Sequence, residues 1–187
     1  MTLPREKIIW TTLLPQFILL IISTIWIYIS PQSNVLKYLK FDIKLVFVGI
    51  VVGVLLALAG YGFYKYTKKT KNFGSTIELF EQMLAPVFKN LNLFDIVSLS
   101  IISGFCEEVL FRGLVLPSCG IAIASVSFGL LHLPGFKFWV YAVWATLSGF
   151  LLGWFFLLSN SLWLPITAHV VNNILGMLML KKLNLNK

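Results

Sequence analysis

Charge is scarce in this sequence: Asp, Glu, Lys and Arg make up 12% of its 187 residues, against 58% apolar ones. With a mean hydropathy of +0.89, a soluble domain of this size could not enclose that much apolar surface in one core. Lipid must serve as the solvent for much of the chain. Cysteine is nearly absent. Cys106 and Cys119 both lie in or beside apolar segments, so no disulfide framework of the secreted type is expected. There is no Pro/Gly/Ser-rich linker and no low-complexity tract. A single transmembrane domain over residues 1–187 is expected, with its motif-bearing core at about 94–180. No internal repeat and no paired broken segments occur, which argues against an inverted-repeat transporter. Acidic residues number 7 against 15 basic ones, a formal net charge of +8. Those basic residues sit in short clusters between apolar runs and form no stripe along one element. No nucleic-acid partner is therefore expected, and anionic lipid headgroups suit the clusters better.

The apolar runs predict an all-α, polytopic membrane bundle of about six transmembrane helices: Ile8 to Ile29, Ile43 to Tyr64, Phe94 to Leu116, Ile121 to Leu133, Phe138 to Leu158 and Leu162 to Leu180. The first is too long for a signal-peptide core and lacks a small-residue cleavage site, so it reads as a retained span. The fourth is short for a bilayer that needs roughly 20 residues, and Pro117 and Pro134 punctuate its ends. Between the second and third spans, Ile77, Phe80, Leu84 and Phe88 recur at helical spacing beside Glu78, Glu81 and Lys89. A helix over Ser75 to Asn90 is expected, lying in the interface or packed on the bundle. Cations at the span ends favour a cytoplasmic N-terminus. Arg5, Lys7, Lys65, Lys68, Lys69, Lys71, Lys89, Lys137, Lys181, Lys182 and Lys187 then fall inside, against Lys37, Lys40 and Lys44 outside. Both termini are expected in the cytoplasm.

Three polar clusters interrupt the apolar runs. In the third span, Glu107 and Glu108 are followed by Arg112. Ionisable groups inside a bilayer cost a few kcal/mol each on insertion scales, so they need partners or water. Glu108 and Arg112, at i and i+4, share a helix face and can pair. Glu107 points about 100° away and needs another partner. The fourth span ends at His132, and the sixth contains His169 and Asn173, which share a face. A count at about 1.5 Å rise per residue puts Glu107, His132, His169 and Asn173 at similar depth, so three helices can bring them to one point. The bland alternatives are that Glu108 and Arg112 form a buried pair locking helices and that the histidines are interhelical hydrogen-bond glue. The tryptophans at 139, 144, 154 and 163 read as interface anchors and packing. Gly49, Gly53 and Gly60 read as a close-packing stripe in preference to a substrate groove. Cys106 reads as an inert thiol in apolar surroundings.

Glu-Glu-Val-Leu-Phe-Arg, then Phe-Gly-Leu-Leu-His, then His-Val-Val-Asn-Asn, in that order, resembles the EExxxR, FxxxH, HxxxN pattern of the CPBP family of intramembrane proteases. That family includes the type II CAAX prenyl endopeptidases and bacteriocin-processing or self-immunity proteins. The resemblance covers Phe94 to Met179. It implies an intramembrane endopeptidase acting on a membrane-embedded or lipidated substrate of CAAX, bacteriocin or leader-peptide type. Glu107 would activate a water that His132 helps to hold. His169 and Asn173 would position the carbonyl and form the oxyanion site, with Glu108 and Arg112 supporting the geometry. The family is described both as metalloproteases and as glutamate-type proteases. Glu107, His132 and His169 could ligate Zn²⁺ with an open water position. Against that, an HExxH helix is absent and Asn is a poor zinc ligand, so catalysis without a cofactor is the expectation. Two readings of other classes stay open: a non-catalytic membrane partner such as a bacteriocin immunity protein, and a small proton-linked carrier relaying through Glu107 and His132. A bacterial inner membrane is the expected location.

Overall fold

The computed structural model describes residues 4–30, 34–70 and 73–183, and the Lys71 and Lys187 counted above lie outside them. The expected all-α architecture is observed, with no strand among the described residues. Helices α1 (Arg5–Ile29) and α2 (Ile43–Lys69) are followed by a shorter helical segment. That segment runs from α3 (Gly74–Ile77) through a π-helical turn (Glu78–Leu84) into α4 (Ala85–Lys89). Then come α5 (Leu93–Leu110), a second π-helical stretch (Phe111–Val115), α6 (Leu116–Leu131), α7 (Trp139–Ser159) and α8 (Trp163–Leu183).

Among the described residues, five helices are long and apolar enough to cross a membrane, one of them the 39-residue run Leu93–Leu131. That run holds both the third and the fourth expected spans. It breaks at Gly120, whose φ of 85° and ψ of 164° are not helical. In an unbroken helix Phe111 and Phe128 would stand about 25 Å apart at 1.5 Å per residue, yet their ring centroids are 5.2 Å apart. The chain therefore doubles back, and α6 returns alongside the end of α5 as a leg too short to span the bilayer by itself. A positive φ is open to glycine without a Cβ clash, which is why the reversal falls at this residue.

The interhelical contacts fix direction as well as proximity. Along α5 and α8, Glu108 meets His169, Ser103 meets Asn173 and Ser100 meets Met177, so the two run antiparallel. Along α1 and α5, Arg5 meets Asp95 and Gln16 meets Glu107, so these run parallel. Helix α2 packs on α8 through its glycines. A Cβ on Gly49 would lie 2.7 Å from the Leu164 carbonyl oxygen, and one on Gly53 would lie 2.5 Å from that of Ala168. Small residues four apart allow this approach. Gly60 does not share the role, since a Cβ there would meet only the Trp144 ring at 3.7 Å.

Hydrogen bonding follows the demand that lipid makes on backbone and side chain. Thr11, Thr12, Ser23 and Thr24 bond back to carbonyls of their own helix. Helix α5 starts on a reciprocal box in which Asn92 and Asp95 cap one another's backbone N–H. The expected helix between the second and third spans forms, and it is packed on the bundle. Leu79 and Ala85 are buried, and Val87 and Phe88 lie against the cluster that includes Ile174 and Met177 of α8. Two ion pairs tie it down, Lys68–Glu81 and Lys137–Glu78. Arg5–Asp95 and the Lys181 bond to the Leu91 carbonyl lie at the same end, so the basic ends of α1, α2 and α8 and the start of α7 gather there.

Candidate active site

Helix α5, which carries the first of the three motifs, supplies two carboxylates with separate duties. Glu108 is fully buried, and its Oε1 accepts from Arg112 Nη1 and from His169 Nδ1, each at 2.8 Å. Arg112, also buried, donates its Nη2 to the Gly149 carbonyl of α7 at 3.0 Å and stacks its guanidinium 4.6 Å from the centroid of Phe128. The expected Glu108–Arg112 pair exists, and it does more than lock one helix. It clamps α5 to α6 and α7, and it orients a histidine of α8.

Glu107 faces the other way. Its Oε1 accepts from Gln16 Nε2 of α1 at 3.0 Å. Its Oε2 is buried with no hydrogen-bond partner, and it lies 3.7 Å from His132 Nε2 and 3.9 Å from His169 Nε2. A carbonyl oxygen only accepts, so the His132 Nδ1–H donates to Phe128 O at 2.8 Å. The His169 Nδ1–H likewise donates to Glu108. In each neutral ring the lone pair therefore sits on Nε2, the nitrogen turned to Glu107. Three acceptors converge on one gap, at separations too long for direct hydrogen bonds and suited to a bridging water. A single water can donate to only two of them, so the third holds a proton or faces a cation.

Zinc ligands in a tetrahedral site stand about 3.4 Å apart, given metal–ligand distances near 2.0–2.1 Å. The separations here are a few tenths of an ångström wider, and among the described residues no three His, Cys, Asp or Glu side chains are grouped to hold a metal. The donor atoms of the trio are of the kind zinc takes, at a spacing somewhat wider than that of a closed tetrahedral site.

Sequence reasoning placed Glu107, His132, His169 and Asn173 at one point, and the structure brings the first three together. Asn173 sits one turn away, where its Nδ2 donates to Ser103 Oγ at 3.1 Å. All four line one cavity of about 440 Å³. The rest of that cavity is largely apolar, with Leu56, Phe63, Phe80, Phe88, Trp144 and Leu180 among its walls and Gly60 as a bare stretch of α2. Gly60 thus belongs to the groove that the sequence reading set aside for the glycine stripe. Two polar residues at the site were missed, Gln16 and Ser103. The signal for Gln16 was available: an amide inside an apolar span needs an interhelical partner.

A cavity among membrane helices, walled by apolar side chains and carrying a carboxylate that faces two histidines, marks the class as a polytopic helical membrane protein with a buried acid–imidazole site. Residues 89–175 match the family described as Rce1-like, type II CAAX prenyl endopeptidase, as the three motifs led one to expect. That match covers the motif-bearing part of the chain, a little under half of its 187 residues. The uncharacterized protein YpbD of Bacillus subtilis (strain 168) is 27% identical over 130 residues, which cover 70% of this chain and 66% of the relative. The chain thus spans just under two thirds of that relative's length. No solved structure matches it.

Proposed function

We propose that the protein is an intramembrane endopeptidase in which Glu107 activates a water for attack on a peptide bond of a membrane-associated substrate. The observation that carries this is the buried Glu107 Oε2, without a protein partner and aimed with two imidazole Nε2 atoms at the wall of an apolar cavity. As the water oxygen bonds to the scissile carbonyl carbon, Oε2 takes its proton and His132 Nε2 accepts from its other hydrogen. The proton that the three converging acceptors require resides on His169 Nε2. Its charge is balanced through Nδ1 by Glu108, and it donates to the developing oxyanion, with Asn173 beside it. When the C–N bond breaks, Glu107 returns the proton it took to the leaving amine. The products are one carboxylic acid and one amine.

The substrate class that suits the cavity is an apolar or lipidated peptide of CAAX, bacteriocin or leader type, reaching the site from the bilayer. The end of the bundle that gathers Arg5, Lys68, Lys137 and Lys181 is assigned to the cytoplasm, in a bacterial inner membrane. Catalysis is assigned to the side chains alone, without a metal. The test is cleavage of a quenched membrane-peptide library by purified protein in detergent, wild type against Glu107→Gln, with and without a chelator. Turnover lost in the variant and kept in chelator supports the reading. Loss in chelator overturns its metal-free part. Undiminished turnover by Glu107→Gln overturns the base assignment.

A further inference from the structure

Helix α1 lies wholly outside the stretch that matches the protease family, yet one of its side chains touches the candidate base. Its hydroxyl residues Thr11, Thr12, Ser23 and Thr24 all bond to carbonyls within α1. Gln16 instead reaches across to α5. It is buried, with 8% of its surface exposed, and it lines the cavity. Its Nε2 holds Glu107 Oε1 at 3.0 Å, which leaves Oε2 as the only oxygen of that carboxylate free to face the histidines. The other half of the amide has no partner, for Gln16 Oε1 is a buried acceptor without a hydrogen bond. An orphaned carbonyl of this kind costs about 1–3 kcal/mol inside a protein. It sits beside the carboxylate that is proposed to activate water.

The placement of Gln16 is set by a second contact lower on the same two helices. Arg5 donates Nε and Nη2 to the two oxygens of Asp95 at 2.7 and 2.6 Å. From Arg5 to Gln16 the rise is about 16 Å, and from Asp95 to Glu107 about 18 Å, at 1.5 Å per residue. Two parallel helices clasped at Arg5–Asp95 therefore arrive in register at Gln16–Glu107.

We infer that Gln16 is a residue of this site with two roles: its N–H holds Glu107 for proton transfer, and its Oε1 accepts a backbone N–H of the bound substrate. An extended peptide offers such donors on alternate residues, and an acceptor already desolvated meets one without further loss of water. The inference rests on the hydrolytic reading above.

The test uses the full chain in proteoliposomes and a peptide that the wild type cleaves, remade as a series in which each backbone N–H near the scissile bond is replaced in turn by an ester oxygen. Gln16→Met keeps the length of the side chain and removes donor and acceptor together. It is expected to lower kcat about 10- to 100-fold, the effect of losing one hydrogen bond to a charged group. One ester position is expected to cost the wild type about 5- to 10-fold in kcat/KM and to cost Gln16→Met less than 2-fold, the size of a single neutral hydrogen bond. A purely structural glutamine would not produce that coupling. Gln16→Ala, carried through the same series, replaces Gln16→Met if the latter does not fold. Equal ester penalties in wild type and variant at every position overturn the substrate role. An unchanged kcat in a folded variant overturns the Glu107 role. If Glu107→Gln hydrolyses the peptide like the wild type, or the wild type cleaves nothing, the hydrolytic reading itself falls and this inference with it.

Discussion

Removal of Arg112 probes the clamp beneath the site. Arg112→Leu loses the 2.8 Å bond to Glu108 Oε1, the 3.0 Å bond to the Gly149 carbonyl and the stacking 4.6 Å from Phe128. Both ionic partners have side chains no more than 1% exposed, so water cannot replace what is lost. Breaking a buried pair from one side costs about 3–5 kcal/mol, because the remaining charge is left uncompensated. Against a native stability of about 5–15 kcal/mol, that brings the protein close to unfolding. The double variant Glu108→Leu/Arg112→Leu is expected to recover most of the loss, since the stranded charge is gone, while hydrolysis stays absent because His169 Nδ1 has lost its acceptor. Denaturation by SDS in mixed micelles, followed by tryptophan fluorescence, measures all four corners of the cycle. A coupling between the two sites of about 3 kcal/mol is expected for residues in direct contact. An Arg112→Leu loss below about 1 kcal/mol, the size of an exposed pair, would refute the assignment of the clamp as a desolvated ion pair. So would a double variant no more stable than the single one.

Gly53→Ala should destabilise by about 1–3 kcal/mol, as overpacking does, because its Cβ would lie 2.5 Å from the Ala168 carbonyl oxygen; Gly60→Ala, with 3.7 Å to spare, should stay within about 0.5 kcal/mol in the same micelle titration. Gly120→Ala must place a Cβ at φ 85° and ψ 164°, a region essentially confined to glycine, and about 1–3 kcal/mol of lost stability is expected from that strain. His132→Leu should lower hydrolysis at least 10²-fold, the usual contribution of a positioned acid–base group, and leave the thermal midpoint of unfolding near that of the wild type, since this side chain, at 27%, is more exposed than those of Glu107, Glu108, Arg112 and His169.

The membrane class and the motif residues were legible because polar groups in lipid advertise themselves. Glu107, His132 and His169 stand out against apolar neighbours, and their depths could be compared by counting turns. The pairing of Glu108 with Arg112 was legible from i, i+4 spacing alone. What spacing cannot show is which helix lies beside which. The contact between Gln16 and Glu107 joins residues 91 apart in the chain, and it depends on α1 and α5 running parallel. The placement of Asn173 on Ser103 also depends on register between two helices. The reversal between the third and fourth expected spans was legible from the break between Leu116 and Ile121, but the spacing did not single out Gly120 as the residue whose backbone makes it. Within the glycine stripe of α2, periodicity could not separate Gly49 and Gly53, which meet α8, from Gly60, which faces the cavity.

The order in which these helices are made has a consequence for the cell. The Glu108–Arg112 pair lies on a single helix, so it can neutralise its charges as soon as that segment leaves the ribosome. Glu107 then waits for its imidazoles. His132 comes with α6, and His169 comes only when α8, the final described helix, docks antiparallel on α5. A chain made only as far as α7 therefore holds Glu107 without the His169 imidazole that faces it in the complete bundle. The order of insertion itself leaves the carboxylate–imidazole site to be completed last, by the docking of α8.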